Sequence, residues 1–280
     1  MMPRPAPEAL RRYHASGQWG TRTIAQCIAE QVALRGDKLA ITDNGERALS
    51  YAELDAQAAR LAGFFSRQGI VRGDVITLHL PNRCEAAVVT LAAWRLGAVL
   101  HPAAPAYGRQ DLAHGLARCG SKAIVVAARF RGTDYTETLH RLRSEDGIAP
   151  LALVIGQGAR KVGIEFDDAL AAAPLARAVA GDADDAAAVL FTSGTESRPK
   201  GVVHTHNTLL FGERAVAAAL GLDAADRCFM PSPVTHATGF MHGLVLNLTS
   251  GATLSLLDVF SGEAAVRIMA EDGKIGRAHV

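Results

Sequence analysis

The chain has 280 residues, of which 49% are hydrophobic and 20% charged, and its formal net charge is +1. This composition is typical of a globular protein with a sizeable core. Charges of both signs nearly balance, so no nucleic-acid-binding surface is predicted.

The first 22 residues, which begin MMPRPAPEALRRYH, are predicted to be an N-terminal extension. They lack the apolar stretch of a secretory signal. The four cysteines are far apart in the sequence and none forms a C-x-x-C pair, so reduced thiols are expected rather than a disulfide framework or a zinc site. These features predict a cytoplasmic protein.

Strands and helices alternate along the first half of the chain. Asn44-Gly45 predicts a hairpin turn within 39–50. Ser50 and Glu53 have the spacing of a capping box, which predicts a helix from Tyr51 to about Gln68. Further helices are predicted at 24–34, 85–96 and 111–118, and strands at 74–80, 98–101, 122–126 and 151–155.

The second half begins with an alanine-rich, acidic stretch at 167–185 that predicts a helix and a linker, with a subdomain boundary near 181–186. Its carboxylates Asp182, Asp184 and Asp185 are expected to be solvated. Strands follow at 186–191 and 202–204, and a helix at 206–220. Polar residues interrupt the apolar stretch 240–260, which favours a buried helix and strand over a membrane span. The whole pattern predicts an α/β fold with a mainly parallel sheet.

The loop between these two strands lies in the sequence FTSGTESRPKGV and has the composition of an anion-binding turn. Thr192, Ser193 and Thr195 offer hydroxyl groups, and Gly194 allows the backbone to approach a ligand closely. Lys200 adds a positive charge. A Walker P-loop is excluded, because no glycine precedes Lys200, no Ser or Thr follows it, and the next segment is β-branched.

Four motifs in order resemble those of the adenylate-forming (AMP-binding) superfamily, in its acyl-CoA synthetase branch. They are VLFTSGTESRPKGV, LSYAEL, WRLGAVLHPAAP and MPSPVTHATGF, and the last is similar to that of ligases for cyclohexanecarboxylate and related acids. The resemblance implies Rossmann-like layered subdomains for residues 23–273, which would form the N-terminal part of the family's large domain.

The resemblance also implies a two-step reaction. A carboxylic acid reacts with ATP to give an acyl-adenylate and pyrophosphate, and coenzyme A then displaces AMP to form a thioester. Mg²⁺ accompanies the ATP. By this resemblance the loop from Thr192 to Lys200, including Ser193, Gly194 and Thr195, would hold the β- and γ-phosphates. His236 and Gly239 would lie beside the acyl group.

Glu196 departs from the usual family motif, because a carboxylate facing a triphosphate is repelled unless a cation lies between them. Two interpretations remain open. Glu196 faces Mg²⁺, directly or through water, or it points away and pairs with Arg198 or another cation.

The later family motifs have no counterpart in the chain, and the lysine that assists adenylation in the family is among the missing residues. Lys274 does not replace it, because Lys274 lies in no matching motif. The last residues, KIGRAHV, resemble translated sequencing-adapter sequence. We therefore expect 274–280 to be a non-native tail on an inactive N-terminal fragment. The alternative is a non-catalytic fragment that binds a nucleotide or a protein partner. His204 and His206 are expected on one face of a strand, but no Cys or carboxylate lies close by in the sequence, so no metal site is predicted.

Overall fold

The computed structural model describes residues 2–192 and 199–271. The helices are α1 (Pro7–Ala15), α2 (Ile24–Arg35), α3 (Tyr51–Arg67), α4 (Cys84–Leu96), α5 (Arg109–Cys119), α6 (Tyr135–Glu145), α7 (Phe166–Leu170), α8 (His206–Leu220), α9 (Leu246–Ser250) and α10 (Gly262–Glu271). The strands are β1 (Leu39–Asp43), β2 (Arg47–Ser50), β3 (Val75–His79), β4 (Val99–Pro102), β5 (Ser121–Ala127), β6 (Arg129–Phe130), β7 (Thr133–Asp134), β8 (Leu151–Ile155), β9 (Ile164–Glu165), β10 (Ala186–Thr192), β11 (Lys200–Thr205), β12 (Arg227–Met230) and β13 (Thr253–Leu256).

The larger sheet has seven strands in the order β11-β10-β4-β3-β5-β8-β9. All neighbours are parallel except β10 and β11, which form an antiparallel hairpin at the edge. Strand β3 is buried along its whole length, as expected of a central parallel strand covered on both faces. The predicted α/β fold with a mainly parallel sheet is therefore confirmed.

The smaller sheet has four strands in the order β12-β13-β1-β2, of which the first three are parallel. The predicted hairpin turn joins β1 to β2, and Asn44 and Gly45 both have positive φ angles, 54° and 75°. The predicted capping box begins α3: the Ser50 hydroxyl accepts the Glu53 N–H, and the Glu53 carboxylate accepts the Ser50 N–H.

Helix α4 lies between the two sheets and contacts β1 and β2 on one side and β3 and β4 on the other. Nearly all its residues are buried, so a run of Ala, Val and Leu replaces the amphipathic pattern of a surface helix. Its first turn is capped across the sheets, where Asp43 Oδ2 accepts the Cys84 N–H at 2.7 Å. Glu85 is buried at the same end and accepts hydrogen bonds from Arg47 and Arg83. On the far face of the larger sheet, α5 and α6 cover a second apolar cluster.

The apolar stretch 240–260 forms a helix and then β13, as predicted, but the helix begins with a π-helical turn from Gly239 to Val245. A π-helical turn departs from the usual i→i−4 hydrogen-bond pattern of an α-helix. Here Asn247 Nδ2 donates to the carbonyls of His242 and Gly243 at 2.9 and 2.8 Å. Within the described part of the chain, no helix combines the length and apolar character needed to cross a bilayer.

The expectation that the acidic linker is solvated is wrong for Asp184 and Asp185. Their side chains are only 15% and 19% exposed, because Asp184 contacts the His14 ring and Asp185 pairs with Arg4 and Arg72 of other segments. Asp182 itself is exposed, but its backbone N–H donates to Asp185. Contacts with other segments therefore hold the linker in a defined position.

Candidate functional site

The carboxyl ends of the parallel strands of both sheets meet at one edge of the molecule. Asn82, three residues after the end of β3, hydrogen-bonds to the carbonyls of Met230, where β12 ends, and Leu257, just after β13. Strand β10 runs parallel to β4, so Thr192, its last residue, also lies at this edge. Ligands of open α/β sheets bind at the carboxyl edge.

The β10–β11 hairpin extends beyond the end of its neighbour. Ala188 pairs with Leu100, so Thr192 is level with the chain two residues beyond Pro102, the last residue of β4. At about 3.3 Å per residue, the hairpin projects roughly 7 Å past β4. Thr192, the last residue of β10, therefore lies beyond the end of the neighbouring strand β4.

Thr192 and Lys200 are directly opposite each other in this hairpin, and both are exposed. Opposite residues of an antiparallel pair place their side chains on the same face. The Thr192 hydroxyl donates a weak hydrogen bond to the Lys200 carbonyl at 3.4 Å, so little energy is needed to turn it toward a ligand. A hydroxyl and an ammonium group thus face one side together. The predicted site residues Ser193, Gly194, Thr195 and Glu196 lie outside the described residues.

The face that carries Thr192 and Lys200 is also the face of Leu190, because side chains alternate along a strand. Leu190 belongs to the main apolar core, together with Met230, Val234 and Phe240. The hairpin therefore directs its hydroxyl and ammonium groups toward the side of the sheet on which the MPSPVTHATGF segment packs.

Asn82 holds this segment in place. Its Nδ2 donates to the carbonyls of Ser232 and Leu257 at 3.0 Å, and its Oδ1 accepts the Val234 N–H at 2.7 Å. The side chain is buried at 3% exposure. The sequence analysis missed this residue, although a polar side chain just after the predicted strand 74–80 is the signal that marks the carboxyl edge.

The predicted substrate residues differ in their surroundings. His236 is exposed, and its backbone N–H and carbonyl form hydrogen bonds with Pro233 and Phe240 at 2.9 and 2.8 Å. Gly239 is buried, and a Cβ atom there would lie 2.2 Å from the Pro233 carbonyl oxygen. Only glycine fits this position, which begins the π-helical turn.

A buried carboxylate ties the π-helical turn to α8. Glu213 is 2% exposed, and its Oε2 lies 3.0 Å from His242 Nδ1. Burial raises the pKa of Glu213, and the hydrogen bond and charge of His242 oppose that rise.

A cavity of about 280 Å³ opens at the same edge, between the segments that follow β3, β4, β12 and β13 and the small β6–β7 hairpin. Its walls are mainly apolar and include Pro105, Phe130, Tyr135 and Phe260, with Arg131 also in the lining. Arg131 has a positive φ angle of 47°, which is uncommon for a non-glycine residue. Such a cavity suits an amphipathic group with an anionic end. Among the described residues, its lining includes Asn82 but neither Lys200 nor His236.

The histidines near these strands are structural. Burial lowers the pKa values of His79, His101 and His206 to about 4, so all three are neutral at pH 7. His206 also corrects the sequence prediction of a histidine pair on one strand face, because β11 ends at Thr205 and His206 is the first residue of α8. No three potential metal-binding His, Cys, Asp or Glu side chains cluster within residues 2–192 and 199–271.

Comparison with known proteins places this geometry in a family. The model of the AMP-binding enzyme family matches residues 28–273. The medium-chain fatty-acid–CoA ligase of Escherichia coli K12 is 35% identical over 271 residues, which cover 92% of this chain and 46% of that protein. The salicyl-AMP ligase of Mycobacterium tuberculosis is 31% identical over 278 residues, with coverage of 97% and 49%.

The apo structure of Mycobacterium smegmatis MbtA superposes with a TM-score of 0.89 at 25% identity. The superposition covers 100% of this chain and 52% of the MbtA chain. The chain thus spans about half the length of the relatives it matches. The match of the family model over most of the sequence and the identity to these acid ligases show that the chain belongs to the AMP-binding enzyme family.

Proposed function

We propose that this chain is the N-terminal, phosphate-binding portion of an ATP-dependent, AMP-forming acid–CoA ligase. The observation that carries the proposal is the Thr192–Lys200 pair at the carboxyl edge. A hydroxyl and an ammonium group on one face of a projecting hairpin suit the β- and γ-phosphates of ATP. Family membership supports the adenylation half of this proposal.

Thr192 and Lys200 are the described residues that would contact ATP, with Ser193, Gly194, Thr195 and Glu196 completing the loop. The described residues offer no cluster of carboxylates for Mg²⁺. We therefore expect the phosphate oxygens and water to supply most of the ligands of the ion, as is usual for Mg²⁺ bound with a nucleotide. Coenzyme A is proposed as the acceptor, on the similarity to the E. coli CoA ligase.

On the substrate side, we propose that His236 and Gly239 lie beside the carboxylic acid. The MPSPVTHATGF segment supports this, because Asn82 fixes it at the same edge and on the side of the sheet that the hairpin faces. The similarity to a medium-chain fatty-acid ligase favours an aliphatic acid, and the similarity to a salicyl-AMP ligase makes an aryl acid the second candidate. The unpaired cysteines support a cytoplasmic location.

The test is acid-dependent pyrophosphate release by the longest protein that the natural locus encodes, assayed with octanoate and with salicylate. We expect release to depend on ATP, Mg²⁺ and one class of acid, and an acyl thioester to accumulate when coenzyme A is added. The 280-residue chain alone is expected to show negligible release. ATP binding without release for any acid would favour the alternative, a non-catalytic nucleotide-binding protein.

A further inference from the structure

We propose that the N-terminal segment 2–22 braces the base of the β10–β11 hairpin, and that Asp184, Asp185 and Asn207 are the positioning residues that receive it. The expected effect of this support on ATP binding rests on the proposed function, whereas the support of the hairpin itself does not.

The base of the hairpin is where β10 begins and β11 ends. There the His206 N–H donates to the Asp185 carbonyl at 3.3 Å, and the Asn207 N–H donates to the Ala183 carbonyl at 2.9 Å. Residues 183–185 lead into β10, and His206 and Asn207 open α8, so these two bonds close the hairpin at its lower end. Any group that holds 183–185 or Asn207 therefore also holds the hairpin.

Asn207 is fully buried and binds the N-terminal segment through its side-chain amide. Its Oδ1 accepts the Gly20 N–H at 3.0 Å, and its Nδ2 donates to the Gly20 carbonyl at 2.9 Å and to Asp184 Oδ1 at 2.7 Å. The amide thus pairs with both the backbone N–H and the backbone carbonyl of Gly20 and still reaches a carboxylate. Neither an aspartate nor a leucine of similar size reproduces this set of bonds.

The two carboxylates are contacted by an arginine and a histidine of the same segment. Arg4 Nη2 lies 2.5 Å from Asp185 Oδ1, and His14 Nε2 lies 2.8 Å from Asp184 Oδ2. Arg72, which follows α3, pairs with the second oxygen of Asp185. Asp185 is only 19% exposed, whereas the side chains of Arg4 and Arg72 are 57% and 44% exposed, so these pairs are shielded from solvent on the carboxylate side only.

The N-terminal segment is itself fixed to α8. The rings of Tyr13 and Trp19 stack at 4.7 Å, and Trp19 is buried. Arg214 Nη2 donates to the Gln18 carbonyl at 3.3 Å. The segment is therefore an ordered part of the molecule, and it contacts the hairpin base through Asp184, Asp185 and Asn207.

This support matters because the sheet holds the hairpin over only a short length. Strand β11 is the edge strand, and the ladder between β4 and β10 registers at a single pair, Ala188 with Leu100. The tip carrying Thr192 and Lys200 projects past β4. A small rotation at the base therefore displaces the tip, and contacts at residues 183–185 and 207 limit that rotation.

Hydrogen–deuterium exchange of the intact 280-residue chain tests the brace. The double variant Arg4→Gln/His14→Gln removes two partly exposed side chains and is expected to fold. Its matched control is His140→Gln/Arg141→Gln on α6, where both side chains are exposed. Peptides covering 186–192 and 199–205 report the hairpin, and the peptide covering 121–127 in β5 reports the centre of the same sheet.

We expect the double variant to raise hairpin exchange about threefold, since a partly exposed ion pair and a histidine–carboxylate contact are lost, and Asn207→Leu to raise it about tenfold or more. Exchange in β5 should stay within error for the double variant, and the control variant should match the wild type in the hairpin and β5 peptides. Unchanged hairpin exchange in the double variant overturns the brace, as does an equal increase in β5, which would mean general destabilisation.

A Mg·ATP titration of the same proteins separates the brace from the proposed function. If both hold, the double variant binds ATP more weakly and the control variant does not. If the wild type binds no ATP, the phosphate-binding proposal fails, while the exchange data still decide the brace. If hairpin exchange rises but ATP affinity is unchanged, the brace stands and its proposed link to ATP binding is overturned.

Discussion

At the scale of single residues, the site depends on two positions where only one side chain fits. Asn82 donates and accepts hydrogen bonds that join the end of β3 to the MPSPVTHATGF segment. Gly239 lets that segment turn back on itself, because a Cβ atom at this position would collide with the carbonyl of Pro233. Both residues shape the segment that holds His236.

The Gly239→Ala substitution is therefore expected to destabilise the chain by roughly 3 kcal/mol, since a methyl group 2.2 Å from a backbone oxygen forces the π-helical turn to move. Urea unfolding followed by circular dichroism measures the change. Gly212→Ala is the matched control, because Gly212 lies in the interior of α8 and a Cβ there meets no atom within 4 Å. The control should be neutral or slightly stabilising. A Gly239→Ala protein as stable as the wild type would show that the close approach is not a real constraint.

At the scale of elements, the sequence predicted those helix starts and turns that depend only on neighbouring residues. Ser50 with Glu53 and Asn44 with Gly45 act within one turn, so their helix start and hairpin were confirmed. Helix α6 was missed although it has a local start signal: the Asp134 carboxylate accepts the backbone N–H groups of Thr136 and Glu137. The linker 182–185 was misjudged because its partners, Arg4, His14 and Arg72, are distant in the sequence.

The MPSPVTHATGF segment depends on one such distant contact. Asn82→Asp keeps the size of the side chain but turns the Nδ2 donor into an acceptor that faces the carbonyls of Ser232 and Leu257. We expect a loss of about 3 kcal/mol in urea unfolding, and faster exchange of amides in 230–240. Gln157→Glu makes the same chemical change at an exposed position and should stay within about 0.5 kcal/mol of wild type. Equal stability of the two variants would contradict the anchoring role of Asn82.

At the scale of the whole molecule, the two sheets pack against α4, and the carboxyl ends of their parallel strands lie at one edge. The motifs predicted the loop and the acyl segment separately, and the family resemblance implied that they work together. Sequence periodicity alone did not predict that they share a face, because that depends on the register of Ala188 with Leu100 and on the core that Leu190 shares with Phe240.

The central claim is that the β10–β11 hairpin binds the phosphates of ATP, and the affinity of the 280-residue chain for Mg·ATP tests it most directly. Lys200→Ala removes the ammonium group opposite Thr192, and loss of a charge-assisted contact is expected to raise the Kd about 10-fold or more. Lys122→Ala is the control, because Lys122 is an exposed lysine at the amino end of β5, on the opposite edge of the same sheet. The account predicts weaker binding for Lys200→Ala and wild-type binding for Lys122→Ala. Wild-type affinity in the Lys200→Ala protein would contradict it.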